Sequence, residues 1–87
     1  MSRYGQRPKV RIIRMRKVPF IDSTGLHNLE NMCLMSQKEG ITIVLSGVNE
    51  KVDAVLRRNN FEHLLGAENI CNHIDLALAR AGEIVGA

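Results

Sequence analysis

The residues best suited to chemistry are Asp22, Ser23, Thr24 and Gly25, a carboxylate and two hydroxyls followed by a glycine, placed directly after the apolar run Val18-Pro19-Phe20-Ile21. Hydroxyls so placed can accept a phosphoryl group, and the amides beside them can hold an anion. The reason is a change of period along the chain: residues 10–16 read as a strand, whereas Leu26, Leu29 and Cys33 recur at helical spacing. The motif therefore falls at a strand-to-helix turn, where a helix start presents unpaired amides and the positive end of its dipole. Each residue has a chemical and a structural reading. Asp22 orients a phosphate acceptor, binds a metal beside a phosphate, or caps the helix. Ser23 is a second capping hydroxyl. Thr24 is a phosphoacceptor, whose modification adds about two negative charges at a helix start, or a first-turn threonine with its methyl on the strand. Gly25 lets an anion or partner approach the backbone, or relieves crowding between helix and sheet.

Holding such a turn in place requires a sheet behind it. In residues 10–16, Val10 and Ile12 point to one face while Ile13 and Met15 point to the other, so both faces of this strand expect cover. A helix is predicted over Ser23–Lys38 and ends at Gly40. Ile41–Ser46, rich in β-branched residues, reads as a buried strand. Asn49 caps a second helix in which Val52, Val55 and Leu56 turn inward and Lys51, Arg57 and Arg58 face water, and Asn59-Asn60 stops it. Phe61, Leu64 and Leu65 tuck a short connection onto the core before Gly66. Asn69-Ile70-Cys71 reads as a short third strand, and Ile74, Ala77, Leu78 and Ala81 stripe a terminal helix closed by Gly82. Alternation of strand and helix predicts an α/β fold with parallel strands and right-handed crossovers.

At 87 residues the chain is one domain, and with 45% hydrophobic but only 3% aromatic residues its core must be aliphatic. So short a chain is expected to be marginally stable alone. The net charge of +3 is modest, but seven of the twelve basic residues (Arg3, Arg7, Lys9, Arg11, Arg14, Arg16 and Lys17) precede the first acidic one, Asp22. This arm touches nucleic acid or an anionic leaflet, or is a solvated leader. With Tyr4 its only aromatic, no nucleic-acid partner is expected. No apolar run approaches the roughly 18 residues that span a bilayer, and no signal peptide is evident, so the chain is expected to be soluble and cytoplasmic. Cys33 and Cys71 read as reduced, buried thiols. His27, His63 and His73 do not join the cysteines at metal-ligand spacing, Cys71-x-His73 being too small a set, and no metal is expected. His27 lies three residues past Thr24, within reach along a helix. Met32 and Met35 are an adaptable partner surface or core filling. No nucleophile elbow, Gly-rich loop with its lysine or acid-base pair is present, so no enzyme is expected.

Taken together, residues 18–26, the Leu45-Ser46-Gly47-Val48 strand end, the helix of residues 52–58 and the Glu68-Asn69-Ile70 approach to the last helix resemble a STAS domain. The nearest form is the cytosolic C-terminal STAS domain of sulfate-permease (SulP) type anion transporters. The resemblance covers about residues 9–82, leaving residues 1–8 as a basic flexible leader and 83–87 as a tail. It implies a sheet with helices like that of anti-sigma factor antagonists, in which the hydroxyl residue before the glycine is phosphorylated by a partner kinase. Here that residue is Thr24. Asp22, Ser23, Thr24 and Gly25 are then the phosphoacceptor-equivalent or anion- and partner-binding set, with no cofactor beyond a nucleotide or anion at the Ser23/Thr24 turn. The implied partners are the membrane domain of an anion transporter or another STAS domain. The alternative role is a free-standing anti-sigma factor antagonist switched at Thr24. A complete STAS domain has further strands before residue 10, so the N-terminal strands are expected to be missing or truncated. A central strand would then become an edge exposing Ile12 or Ile13, and the fragment is expected to self-associate, most simply as a symmetric dimer.

Overall fold

The computed structural model describes residues 9–86, so the basic leader expected over residues 1–8 lies outside them. The elements run β1 (Lys9–Arg14), α1 (Ser23–Lys38), β2 (Ile41–Ser46), α2 (Glu50–Arg58), α3 (Phe61–Leu65), a 3-10 turn (Ala67–Asn69) and α4 (Ile74–Gly86). β1 and β2 pair in parallel, from Lys9 beside Ile41 to Arg14 beside Ser46. Regular pairing stops two residues short of the predicted strand end. The Met15 amide still donates to the Ser46 carbonyl at 2.7 Å, but the Val18 amide then turns back to the Met15 carbonyl at 3.0 Å.

The two faces of β1 are covered as its pattern requires. Ile13 and Met15 pack on one side with Leu29 and Cys33 of α1, Ile43 and Leu45 of β2, Val52 and Leu56 of α2, and Phe61 and Leu65 of α3. Val10 and Ile12 pack on the other with Val44, Cys71 and the α4 residues Ile74, Ala77 and Ile84. The sheet is thus sandwiched between helices, and β2 carries two fully buried residues, Val44 and Leu45. Ile12 and Ile13 are half-buried rather than exposed.

Three local expectations change. The third strand is a single parallel bridge, Leu45 to Ile70, because the 3-10 turn occupies residues up to Asn69 and the Ile70 amide bonds back to the Ala67 carbonyl. The Cys71 amide keeps one further bond to the Leu45 carbonyl, at 2.8 Å. Second, α4 continues through Gly82 to Gly86. Ile84, packed against the sheet, gives the last turns an apolar contact, so the helix outlasts its weakest residue. Third, Leu78 is 55% exposed. The inward stripe is Ile74, Ala77, Ala81 and Ile84, at steps of three and four residues, and Leu78 lies about 100° away from Ala77.

Candidate functional site

The motif begins where β1 has ended and the chain must re-enter as a helix. Asp22 is extended (φ −96°, ψ −179°) and caps α1, its Oδ1 accepting from the Gly25 amide at 2.8 Å while the Leu26 amide donates to its carbonyl at 2.9 Å. Of the readings open for Asp22, the helix cap is the one seen. Ser23 is the first helical residue, not the cap. Thr24 follows it in the first turn and is exposed. Asp22, Ser23, Thr24 and Gly25 are therefore together on one turn, with Ser23 and Thr24 both exposed.

Glycine at position 25 has a specific steric cause. A Cβ there would stand 3.0 Å from Ile21 Cγ1 and 3.2 Å from Asp22 Oδ1. Its absence lets Ile21 fold over the helix start and lets the Asp22 carboxylate reach the amide. The crowding relieved is with the cap and the preceding residue, rather than between helix and sheet. The segment entering the motif is also fixed from α2. Asn49 caps that helix through the Val52 amide at 2.8 Å, and its Nδ2 donates to the carbonyls of Val18 at 3.0 Å and Pro19 at 3.3 Å.

Beside the turn lies an apolar cleft of about 360 Å³, floored by buried Met15 and Leu29 and walled by Val18, Phe20, Ile21 and Met32. Phe20 is 69% exposed, and Met32 and Met35, a turn apart on α1, are 39% and 63% exposed. The methionines are thus surface, not core filling. Phe20 faces out although it lies in an apolar run, and the signal for this in the sequence is the preceding Pro19, which cannot extend a ladder.

The remaining candidates separate from this site. His27 pairs with Asn31, its Nε2 lying 3.3 Å from the Asn31 amide nitrogen. Both cysteines are free and buried. Burial, with the nearby Glu30 charge, pushes the Cys33 thiol up to about 11. Burial also raises Cys71, against a smaller opposing pull from Arg80. Neither is a ready thiolate. Arg57 bonds Asp53 and Glu62 at 3.0 and 3.1 Å, while Arg58 is exposed. Lys9, Arg11, Arg14, Arg16 and Lys17 are all exposed. Among the described residues, no three of His, Cys, Asp and Glu gather as a metal site, and no helix is long and apolar enough to cross a membrane.

The STAS domain family model matches residues 2–77. The fold is similar to a solved structure of a sulfate transporter family protein from Wolinella succinogenes, with 44% sequence identity and a TM-score of 0.86. That likeness covers 92% of this chain and 66% of the solved one, so this chain spans just under two thirds of it. A search of curated proteins finds no match. With the family model matching most of its length and the α/β fold shared at this identity, the chain belongs to the STAS domain family.

Proposed function

We propose that this STAS domain is a cytoplasmic regulatory, protein-binding domain of a sulfate-permease type anion transporter, acting by docking rather than by turnover. The observation carrying this reading is the exposed apolar surface of Phe20, Met32 and Met35 beside the solvent-facing Ser23 and Thr24. Exposed aromatic and methionine side chains suit an adaptable protein contact. The Asp22 carboxylate already answers the positive end of α1, which favours a protein partner over a free anion at this turn. The partner is the membrane domain of the transporter. Anion uptake is measured with that membrane domain and the 87-residue chain expressed together: Thr24→Asp, which places charge beside the cleft while leaving the cap intact, alters uptake and copurification. Unchanged uptake and copurification would remove the proposal.

A second reading, a phosphorylation-switched anti-sigma factor antagonist, rests on the exposure of Thr24 at the start of α1. Incubation with a cognate serine kinase followed by intact mass measurement decides it. A single phosphoryl group on Thr24 favours the switch, and an unmodified chain excludes it.

Self-association belongs to the same proposal. β1 pairs with β2 on one side only among the described residues. Two β1 edges can meet antiparallel with Ile12 opposite Ile12 and Arg11 opposite Ile13, a register that sets no like charges directly face to face. Light scattering after size exclusion should give a dimer mass, and a dispersed monomer would refute the edge pairing.

A further inference from the structure

On the α4 face of the sheet the last rung of the ladder sets Arg14 beside Ser46. Side-chain alternation puts Arg14 on the face of Val10 and Ile12, and Ser46 on that of Val44, all of which pack toward α4. There a cleft of about 310 Å³ opens, lined by Arg14, Arg16, Ser46, Asn72, His73 and Ile74. Its size is at the lower end of small-molecule sites, which hold about 300–1,000 Å³. It also lies beyond the carboxyl ends of parallel strands, where ligands of α/β proteins bind.

Independent features of this cleft point to one ligand class. Arg14 and Arg16 line it, with no carboxylate among its lining residues, and the ion pairs seen among the described residues involve Arg57 and Arg80 instead. Ser46 is 2% exposed and lines the cleft, yet its hydroxyl bonds to no described residue. The backbone of α4 adds directed donors. The Ala77 amide bonds the His73 carbonyl at 3.2 Å, which leaves the first-turn amides of Ile74, Asp75 and Leu76 without a backbone acceptor. Finally, Gly47 (φ +68°) lets the Arg16 backbone lie against the end of β2, because a Cβ there would stand 3.0 Å from Arg16 N, Cα and Cβ. Asp75 is the nearby opposing charge. It is exposed in the first turn of α4 but does not line the cleft.

We propose that this cleft binds a tetrahedral oxyanion, phosphate or sulfate, either free or as a phosphate monoester. Arg14 and Arg16 supply the charge, and the Ser46 hydroxyl and the α4 amides supply oriented hydrogen bonds. The site is on the opposite face from the Phe20 cleft and does not depend on the docking reading.

The test is an NMR amide titration of the 87-residue chain with sodium sulfate, inorganic phosphate and adenosine monophosphate in separate arms at constant ionic strength. Saturable shifts are expected at Ser46, Gly47 and residues 74–76 in at least one arm. Tighter binding of the nucleotide supports the site with an ester ligand, and tighter or equal binding of an inorganic ion supports it with the free ion. Arg14→Gln and Ser46→Ala should each weaken binding about tenfold, the worth of one charge-assisted or buried hydrogen bond. Thr24→Asp should leave it unchanged, which separates this site from the motif turn. Both weakening variants keep the apolar core, and retention of the remaining amide spectrum shows that they fold. Absence of saturable shifts at these residues in all arms, or unaltered affinity in either weakening variant, overturns the proposal.

Discussion

Asp22 sets the local structure of the motif turn through a single side-chain hydrogen bond. Its carboxylate satisfies the Gly25 amide at 2.8 Å and so fixes where α1 begins, which leaves Thr24 exposed in the first turn. Asp22→Ala removes that acceptor, which costs about 1 kcal/mol, and should lower Tm by about 4–8 °C in a domain of this size. A thermal melt of the variant checks it, and an unshifted Tm would mean that the cap does not hold the turn. The caps at Asp22 and Asn49 were legible in the sequence because capping uses one side chain and amides three residues away. The exposure of Phe20, Met32 and Thr24 was not, since it depends on which distant elements cover each position. Cys33 gives the pH dependence at this scale. Its thiol sits at about 11 in the fold against an ordinary value of 9.0, so the folded chain retains this proton where the unfolded chain has lost it. That contribution is present below pH 9 and disappears as pH rises toward 11. Urea unfolding at successive pH values should show stability falling across this window, and less steeply in Cys33→Ala; identical slopes would exclude Cys33 as the cause.

At the scale of elements, alternation in the sequence was enough to find both faces of β1, since Val10 and Ile12 go to one packed layer and Ile13 and Met15 to the other. Helix α1 and strand β2 also have the predicted limits, because both have strong stop signals: Gly40, with φ +75°, follows α1, and Gly47, with φ +68°, follows β2. The approach to α4 was harder to read. Asn69-Ile70-Cys71 has strand-like composition, yet the Asn69 side chain donates to the Leu65 carbonyl and accepts from Arg80 at 2.7 Å. These contacts hold Asn69 in the 3-10 turn, and only Ile70 and Cys71 are left to run beside β2. Gly82 looked like a stop but is helical, with open space where its Cβ would be. Gly82→Ala should therefore stabilise the domain by about 0.5–1 kcal/mol and raise Tm. A decrease would show that α4 ends at Gly82 after all.

For the whole molecule, the sheet and its two packed layers serve to present surfaces at the carboxyl ends of the strands. One helix layer carries the motif turn and the Phe20 cleft; the other carries the arginine-lined cleft at the start of α4. Family membership was legible because the motif, the strand end and the helix spacing coincide in one chain. The partner was not, since a chain spanning 66% of its solved relative shows what it offers and not what it meets. Docking through the Phe20 surface is tested most directly by placing a photo-crosslinking amino acid at Phe20 or, as a control, at exposed Arg58 on α2, with the transporter's membrane domain present. Docking predicts a covalent adduct with the membrane domain from position 20 and none from position 58. No adduct from position 20, or equal adducts from both, would contradict it.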